Sequence, residues 1–429
     1  MTIRNRNLGL IYYDPTKAYH GYTLFTPAGP GSGGTTYLVD MEGRIVHQWN
    51  LDGWVRYHVE LLPNGNLFGG RYDARKPVAQ MIFLGGEIFE MDWDGNVVWR
   101  YEDPDMDLHD RAPLKNGNIM IMKHTDISED IEKKIQGGIP GSEDDYGFGK
   151  VHGFLLQEID RDGKVIKNFE VYKKLDPEID IIPPYGTRGV WPGTNSLEEL
   201  ANGDLMTTSY NMNNIYIWDR ETGDIKWRWG NGILAFPHDP TELDNGNILV
   251  HDNQRFPTQW MPPDGSRVLE INPNTDEIEW QYRAENPLDF HNTYIGGNQR
   301  LPNGNTLICD GGKGHLFEVT AEGEVVWEFV NPLFFNYSTT SINMGHCNSV
   351  FRCYRYSPKH PAFQGKDLDP GRYANLNNMY GLTGANSGRT TLSAGGNQAV
   401  LGGYQETAPA MGQPGGEDKV SSRTELLGY

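Results

Sequence analysis

An Asn-Gly pair set between two short apolar runs recurs along this chain, and it limits the folds open to it. The fullest copy is Phe236-Pro-His-Asp-Pro-Thr-Glu-Leu-Asp-Asn-Gly-Asn-Ile-Leu-Val-His-Asp-Asn-Gln-Arg255. Asn-Gly between apolar runs is a strong hairpin signal, because both turn positions tolerate positive φ. The two strands run in opposite directions. Residues before the first strand, such as His238, and after the second, such as His251 and Arg255, are therefore expected at one end, with the turn at the other.

Related starts lie at His58, His109, Asn195 and Arg300, each leading into Asn-Gly and a second strand. A further start, His346-Cys-Asn-Ser-Val-Phe-Arg352, has no Asn-Gly after it. Each first hairpin is followed by another with an acidic or glycine turn, usually ending in Trp, as in Ile88–Trp99, Ile217–Trp227, Leu269–Trp280 and Phe317–Trp327. Two hairpins make a four-stranded unit, and units recurring every ~40–55 residues are the signature of propeller blades. The second of these blades carries an insertion at about residues 125–150. At the N-terminus, 21–49 reads as strands two to four of a blade lacking its first strand, and His346–Arg352 reads as that strand. Joining them closes a six-bladed ring and removes exposed sheet edges. The expected fold is therefore all-β: a six-bladed β-propeller over residues 1–356, then a Gly/Ala/Asn-rich extension over 357–429. The extension reads as a tail or as a segment laid over the ring or over a neighbouring subunit.

The formal charge of −20 argues against nucleic acid and against anionic membrane as partners. No apolar run is long enough to span a bilayer. Residues 1–20 lack a secretory apolar core, so the expected location is cytoplasmic, or periplasmic or secreted if a signal was removed. Cys309, Cys347 and Cys353 do not make a disulfide framework and are read as free thiols. Asp92 to Gly95 has the start of a calcium loop but lacks the remaining ligands, so it is read as a turn.

First strands line a propeller's channel, so their starts should converge on the axis. These are His58, His109, Asn195, His238, His291 and His346. Five histidines in six equivalent places, from twelve in the chain, point to a functional centre rather than to packing. The ends of the second strands add Arg71, Lys123, His124, His251, Arg255 and Lys313. Long loops on this face carry Tyr146, Tyr185, Trp191, Trp260 and Phe334. A cationic, imidazole-lined mouth with aromatic walls suits a small aromatic or anionic substrate.

The Gly-Tyr-Thr-Leu-Phe opening, the Tyr-Leu-Val-Asp-Met-Glu-Gly-Arg-Ile-Val-His-Gln-Trp hairpin and the His-Asp…Leu-x-Asn-Gly-Asn units resemble the arylsulfotransferase family over about residues 8–355. The more specific part is His238-Asp…Val250-His-Asp-Asn-Gln-Arg255. The resemblance implies a transferase that moves a sulfuryl group from an aryl sulfate to a phenol through a sulfohistidine, without a cofactor. It implies His291 as nucleophile, with His346 an equivalent candidate. Arg255 and His238 would hold the sulfuryl group, and His109 would act as acid and base. His58, Asn195, His346, His251, Arg71 and Lys123 would bind substrate. Two other readings stay open. A transition metal ion on the axis, held by His58, His109, His238, His291 and His346, would suit a lyase or oxygenase; a non-catalytic binding propeller is the other. A homo-oligomer formed through the C-terminal extension is also expected.

Overall fold

The glycines of the five Asn-Gly turns, Gly65, Gly117, Gly203, Gly246 and Gly304, have φ between +81° and +90°, a conformation that penalises any Cβ. Each turn joins a blade's inner strand to its second strand. In this computed structural model, which describes residues 8–29, 34–55, 57–73, 85–144, 149–254, 265–338 and 343–384, the strands form six antiparallel sheets around an axis. The inner strands are Val59–Leu61, Met106–Pro113, Thr194–Glu199, Pro237–Glu242, Gly297–Arg300 and Val350–Tyr356, here numbered blades one to six. Blade six is the composite. Its inner strand comes from the C-terminal side and its other three are Tyr22–Pro27, Thr35–Val39 and Ile45–Asn50. The pairing runs from Tyr22↔Tyr356 to Pro27↔Val350.

The all-β six-bladed ring matches the sequence reading, with two differences at the closure. The inner strand of blade six starts at Val350, not at His346. His346 lies instead in a separate hairpin of Phe335–Ser338 with Asn343–Cys347, opposite Asn336. The reason is a reciprocal amide clamp. Asn331 Nδ2 donates to the Asn348 carbonyl at 2.9 Å and Asn348 Nδ2 to the Asn331 carbonyl at 2.7 Å, which fixes the chain just before the strand begins. The second difference is Gly9–Tyr13, which adds a fifth strand outside Val325–Val330 of blade five before the chain crosses to blade six. The expected insertion in blade two lies between Ile119–Asp126 and His152–Ile159 and contains the short helix Glu129–Glu132.

Repeated polar contacts join the blades. The ring N–H of the outer-strand Trp donates to the next blade's outer turn region: Trp49 to Asp92 O, Trp99 to Arg161 O, Trp227 to Asp276 Oδ1, Trp280 to Ala321 O and Trp327 to Met41 O. Blade two has no such Trp, and Lys167 replaces it by donating to the carbonyls of Arg220 and Glu221. Inside this girdle, a third-strand carboxylate takes the amide N–H groups of the Asn-Gly-Asn turn and an Arg from the next blade. Glu90, Glu158, Glu270 and Glu318 do this with Arg161, Arg220, Arg300 and Arg355. The apolar clusters fill the wedges between sheets. Leu24, Leu38, Trp49, Val59, Leu67 and Phe89 pack between blades six and one. Full burial of each such side chain contributes about 1.5–3 kcal/mol.

Residues 357–384 lie across the face that carries the Asn-Gly turns. A Cβ on Gly65 would sit 3.0 Å from Ala362, Phe363 packs against Tyr22, and the Asn377 amide pairs with both the N–H and the carbonyl of Ile45. The chain divides into two units, Met1–Arg389 and Thr390–Tyr429, the second outside the described residues. No helix among the described residues is long and apolar enough to cross a membrane. Cys309 and Cys353 are buried and all three cysteines are free thiols.

Candidate functional site

Phe351, one residue into the inner strand of blade six, marks where the axial histidines meet. Its ring centroid lies 6.0 Å from that of His58, 6.5 Å from His109, 6.3 Å from His238 and 4.9 Å from Tyr57. Three of the five expected histidines are thus brought together at the end of the ring away from the turns. They are not in one register. His58 directly precedes its strand, whereas His109 and His238 sit at bulges, where pairing shifts between Asp107 and Arg111 and between His238 and Thr241.

The His238 ring is buried, and its hydrogen bonds run through Nδ1, to Asn253 Oδ1 at 2.7 Å and to the Phe236 carbonyl at 3.2 Å. Asn253 fixes which nitrogen carries the proton. Its amide N–H groups face the carbonyls of Asn292 and Ile295 at 2.9 and 3.0 Å, so its oxygen must accept from Nδ1–H. The Nε2 lone pair of His238 is then the free one. Burial, with His251 beside it, lowers the imidazole to about 3, so it is neutral at physiological pH.

His109 is paired differently. Asp107 Oδ1 lies 2.6 Å from His109 Nδ1, and Oδ2 lies 2.8 Å from His124 Nε2. Burial alone would push the Asp107 carboxyl up, but the two imidazoles hold it well below the ordinary range. An Asp that engages Nδ1 orients the ring and stabilises its cation, the arrangement expected of a general acid and base. The His109 side chain is 13 % exposed. The Asp-x-His spacing was in view in the sequence. The pairing with His124 was not, because it joins neighbouring strands.

His291 lies in the loop before the inner strand of blade five, not at its start. It is half-buried, with Nδ1 unpartnered, and burial together with the Lys313 ammonium lowers its pKa. The neighbouring Asn292 is held by Asn253 and by Ser266 Oγ, which accepts its N–H at 2.8 Å, so His291 is tied through the main chain to the His238 clamp. Arg255 lies outside the described residues, as do the expected wall residues Tyr146 and Trp260.

Most of the other expected groups are engaged inside the fold. His58 Nε2 is 3.5 Å from Asp110 Oδ1. Asn195 accepts from Thr208 Oγ1 and donates to the Pro237 carbonyl. His251 is fully buried, and burial lowers it to about 3 against an opposing contact with the Gly297 main chain. His346 is exposed on its hairpin, outside the axial cluster. The cationic floor read from the sequence is neutralised from within. Arg71 is held by Glu87, Lys123 by Asp103 at 2.6 Å, and Lys313 by Asp310 at 3.2 Å. Glu87 and Asp103 belong to other strands or loops, so strand-by-strand reading does not see them, whereas Asp310 is only three residues from Lys313. Of the wall residues, Trp191 is fully buried, Tyr185 accepts from Asn213, and Phe334 is 52 % exposed.

Among the described residues no group of three or more His, Cys, Asp or Glu side chains has the geometry to hold a metal ion. Sequence reasoning passed over Asp107, Asn253, Phe351 and Arg352; for Asn253, the His-Asp-Asn-Gln run was the available signal.

Residues 186–332 match the family model for arylsulfotransferase (ASST). The matched segment holds His238, Asn253, Arg255 and His291 but not His58, His109 or Phe351. No curated protein matches. Among solved structures, a protein of unknown function from Bacteroides caccae is 14 % identical, with a TM-score of 0.49, covering 79 % of this chain and 99 % of that one. A streptogramin B lyase is 13 % identical (TM-score 0.41; 77 % and 85 %). Virginiamycin B lyase from Staphylococcus aureus is 12 % identical (TM-score 0.42; 76 % and 90 %).

Proposed function

Taking as premise the arylsulfotransferase-like assignment that the family match supports, we propose that this protein transfers a sulfuryl group from an aryl sulfate to a phenolic acceptor through a sulfohistidine. The observation that carries the reading is the His238–Asn253 clamp, a neutral imidazole whose protonated nitrogen is fixed and whose Nε2 lone pair is free. We assign the attack to His238 in preference to His291. The hydrogen bond at Nδ1 of His238 supports the positive charge that builds on the ring as Nε2 bonds to sulfur.

In the first half-reaction, Nε2 attacks sulfur, the bond from sulfur to the aryl oxygen breaks, and protonated His109 gives its Nε2 proton to the departing phenolate. Asp107 steadies the imidazolium before that transfer. In the second half-reaction, His109 takes the acceptor phenol's proton. The phenolate oxygen bonds to sulfur, the nitrogen–sulfur bond breaks, and neutral His238 returns. Arg255, two residues after Asn253, is assigned to the sulfuryl oxygens, for which a planar guanidinium is suited.

Intact-mass spectrometry after mixing with p-nitrophenyl sulfate tests this. Wild type should gain one sulfuryl group and His238→Asn should gain none. His291→Asn should still be labelled, and Asn253→Ala should be labelled roughly 100- to 10,000-fold more slowly, since a misplaced ring costs about the first and a wrong tautomer about the second. Labelling of His238→Asn but not of His291→Asn moves the nucleophile to His291. The absence of any adduct and of phenol release across a panel of aryl sulfates overturns the reading.

A further inference from the structure

Arg352 takes no part in the chemistry just described, yet it joins four blades across the axis. Its Nη1 lies 2.9 Å from Asp110 Oδ2, its Nε 3.0 Å from Asp239 Oδ1, and its Nη2 donates to Ser196 Oγ at 2.9 Å. All four side chains are buried. The carboxylates are held elsewhere too. Asp110 Oδ2 accepts the Leu197 N–H at 2.9 Å, and Asp239 Oδ2 accepts the Asn298 N–H at 2.9 Å. The Asp239 N–H donates to Ser196 Oγ at 3.0 Å, with Asp239 at φ +51°, an uncommon conformation for a residue with a Cβ.

Each of these aspartates directly follows a candidate imidazole, in His109-Asp110 and His238-Asp239. Both pairs sit at bulges. In an unbroken strand, consecutive side chains point to opposite faces. Here the bulges let both members of a pair turn to the axis: the imidazoles lie about Phe351, and the carboxylates reach Arg352.

We propose that Arg352 is the positioning residue of the site: by clamping Asp110 and Asp239 it fixes the main chain that carries His109 and His238, and so sets the two rings against one another. The proposal rests on the assignment of those rings to sulfuryl transfer. An apolar plug could fill the same space without desolvating three charges, so closure of the channel alone does not account for a guanidinium there. A planar, forked donor set holds two carboxylates at fixed mutual geometry, which neither an apolar group nor a single ammonium does.

The test uses histidine-15N-labelled full-length protein and the variants Arg352→Met, Arg352→Lys and Asp110→Asn. Imidazole resonances are recorded beside steady-state turnover of p-nitrophenyl sulfate. In Arg352→Met the His109 and His238 ring signals should move, and kcat should fall by roughly 10- to 100-fold with KM within about 3-fold. Arg352→Lys should recover only part of this, and Asp110→Asn should move His109 more than His238. A folded Arg352→Met whose two rings keep their wild-type signals overturns the proposal; if that variant does not fold, the same reading is taken from Arg352→Lys. If wild type transfers no sulfuryl group, the ring signals still decide: movement supports the clamp without the reaction, and no movement overturns it.

Discussion

Which nitrogen of a histidine holds the proton decides whether that ring can act as a nucleophile, and here one amide settles it. Asn253 commits both its N–H groups to main-chain carbonyls, so the only group it can offer His238 is an oxygen. The carboxyls in the channel follow a different rule. Glu198 lies on the inner strand of blade three, and burial raises its pKa to about 8 from the ordinary 4.5. Glu60 is raised to about 7, also by burial first. Between pH 4.5 and 8 the folded protein keeps a proton on Glu198 that the unfolded chain releases. Its contribution to stability is therefore full at low pH and is lost as pH rises through about 8. Glu198→Gln keeps an oxygen for the Glu242 N–H, which now donates at 3.1 Å, and carries no charge. Thermal melting should place this variant above wild type at about pH 9 and level with it at about pH 5; equal melting at both would refute the assignment.

At the scale of strands and turns, much was legible and the omissions share one cause. The Asn-Gly turns, the outer-strand Trp residues and the shared blade are local or periodic features, and the sequence displays them. Bulges are neither. Three extra residues before Arg111 and one before Thr241 shift His109 and His238 out of step with His58, and no periodicity marks the insertions. His291 was placed at a strand start that Gly297 in fact occupies, with a loop between them. Partners of buried charges were also hidden, since Glu87 and Asp103 meet Arg71 and Lys123 only after folding. Residues 357–370 read as loop, and the rest of the extension as a tail or as a segment laid over the ring or a neighbouring subunit, because the anchors of 357–384 are single side chains. Asn377 is the clearest of these. It pairs with the Ile45 N–H at 2.8 Å and with the Ile45 carbonyl at 3.1 Å. Asn377→Ala leaves both main-chain groups without that partner, and chemical denaturation should register a loss of about 1–3 kcal/mol. A change below a few tenths would mean that water replaces the amide at no cost.

A closed ring places its greatest demand where the two ends of the chain meet, within blade six and at its seam with blade five. The seam converges on Glu318. Its carboxylate lies 3.1 Å from Arg355 Nη1 on the inner strand of blade six and accepts from Asn305 Nδ2 at 2.6 Å within blade five. It also accepts the Tyr19 N–H at 2.7 Å, from the segment that crosses between the two blades. Arg355 in turn donates to Thr23 Oγ1 at 2.6 Å and to the Tyr19 carbonyl at 2.9 Å, and its guanidinium lies 4.4 Å from the Trp327 ring centroid. Both charged side chains are fully buried. Elsewhere in the girdle the matching arginines are partly accessible, so water can moderate the loss of a partner there. At the closing seam it cannot. Arg355→Met should therefore destabilise the protein by roughly 3–5 kcal/mol, because Glu318 is left charged without its counter-ion in the core. Arg220→Met at the seam between blades two and three should cost well under half of that. Adding Glu318→Gln to Arg355→Met removes the stranded charge and should restore a large part of the stability. Urea denaturation of the singles and the double measures the coupling; additive losses would show that the ring's closure does not depend on this pair.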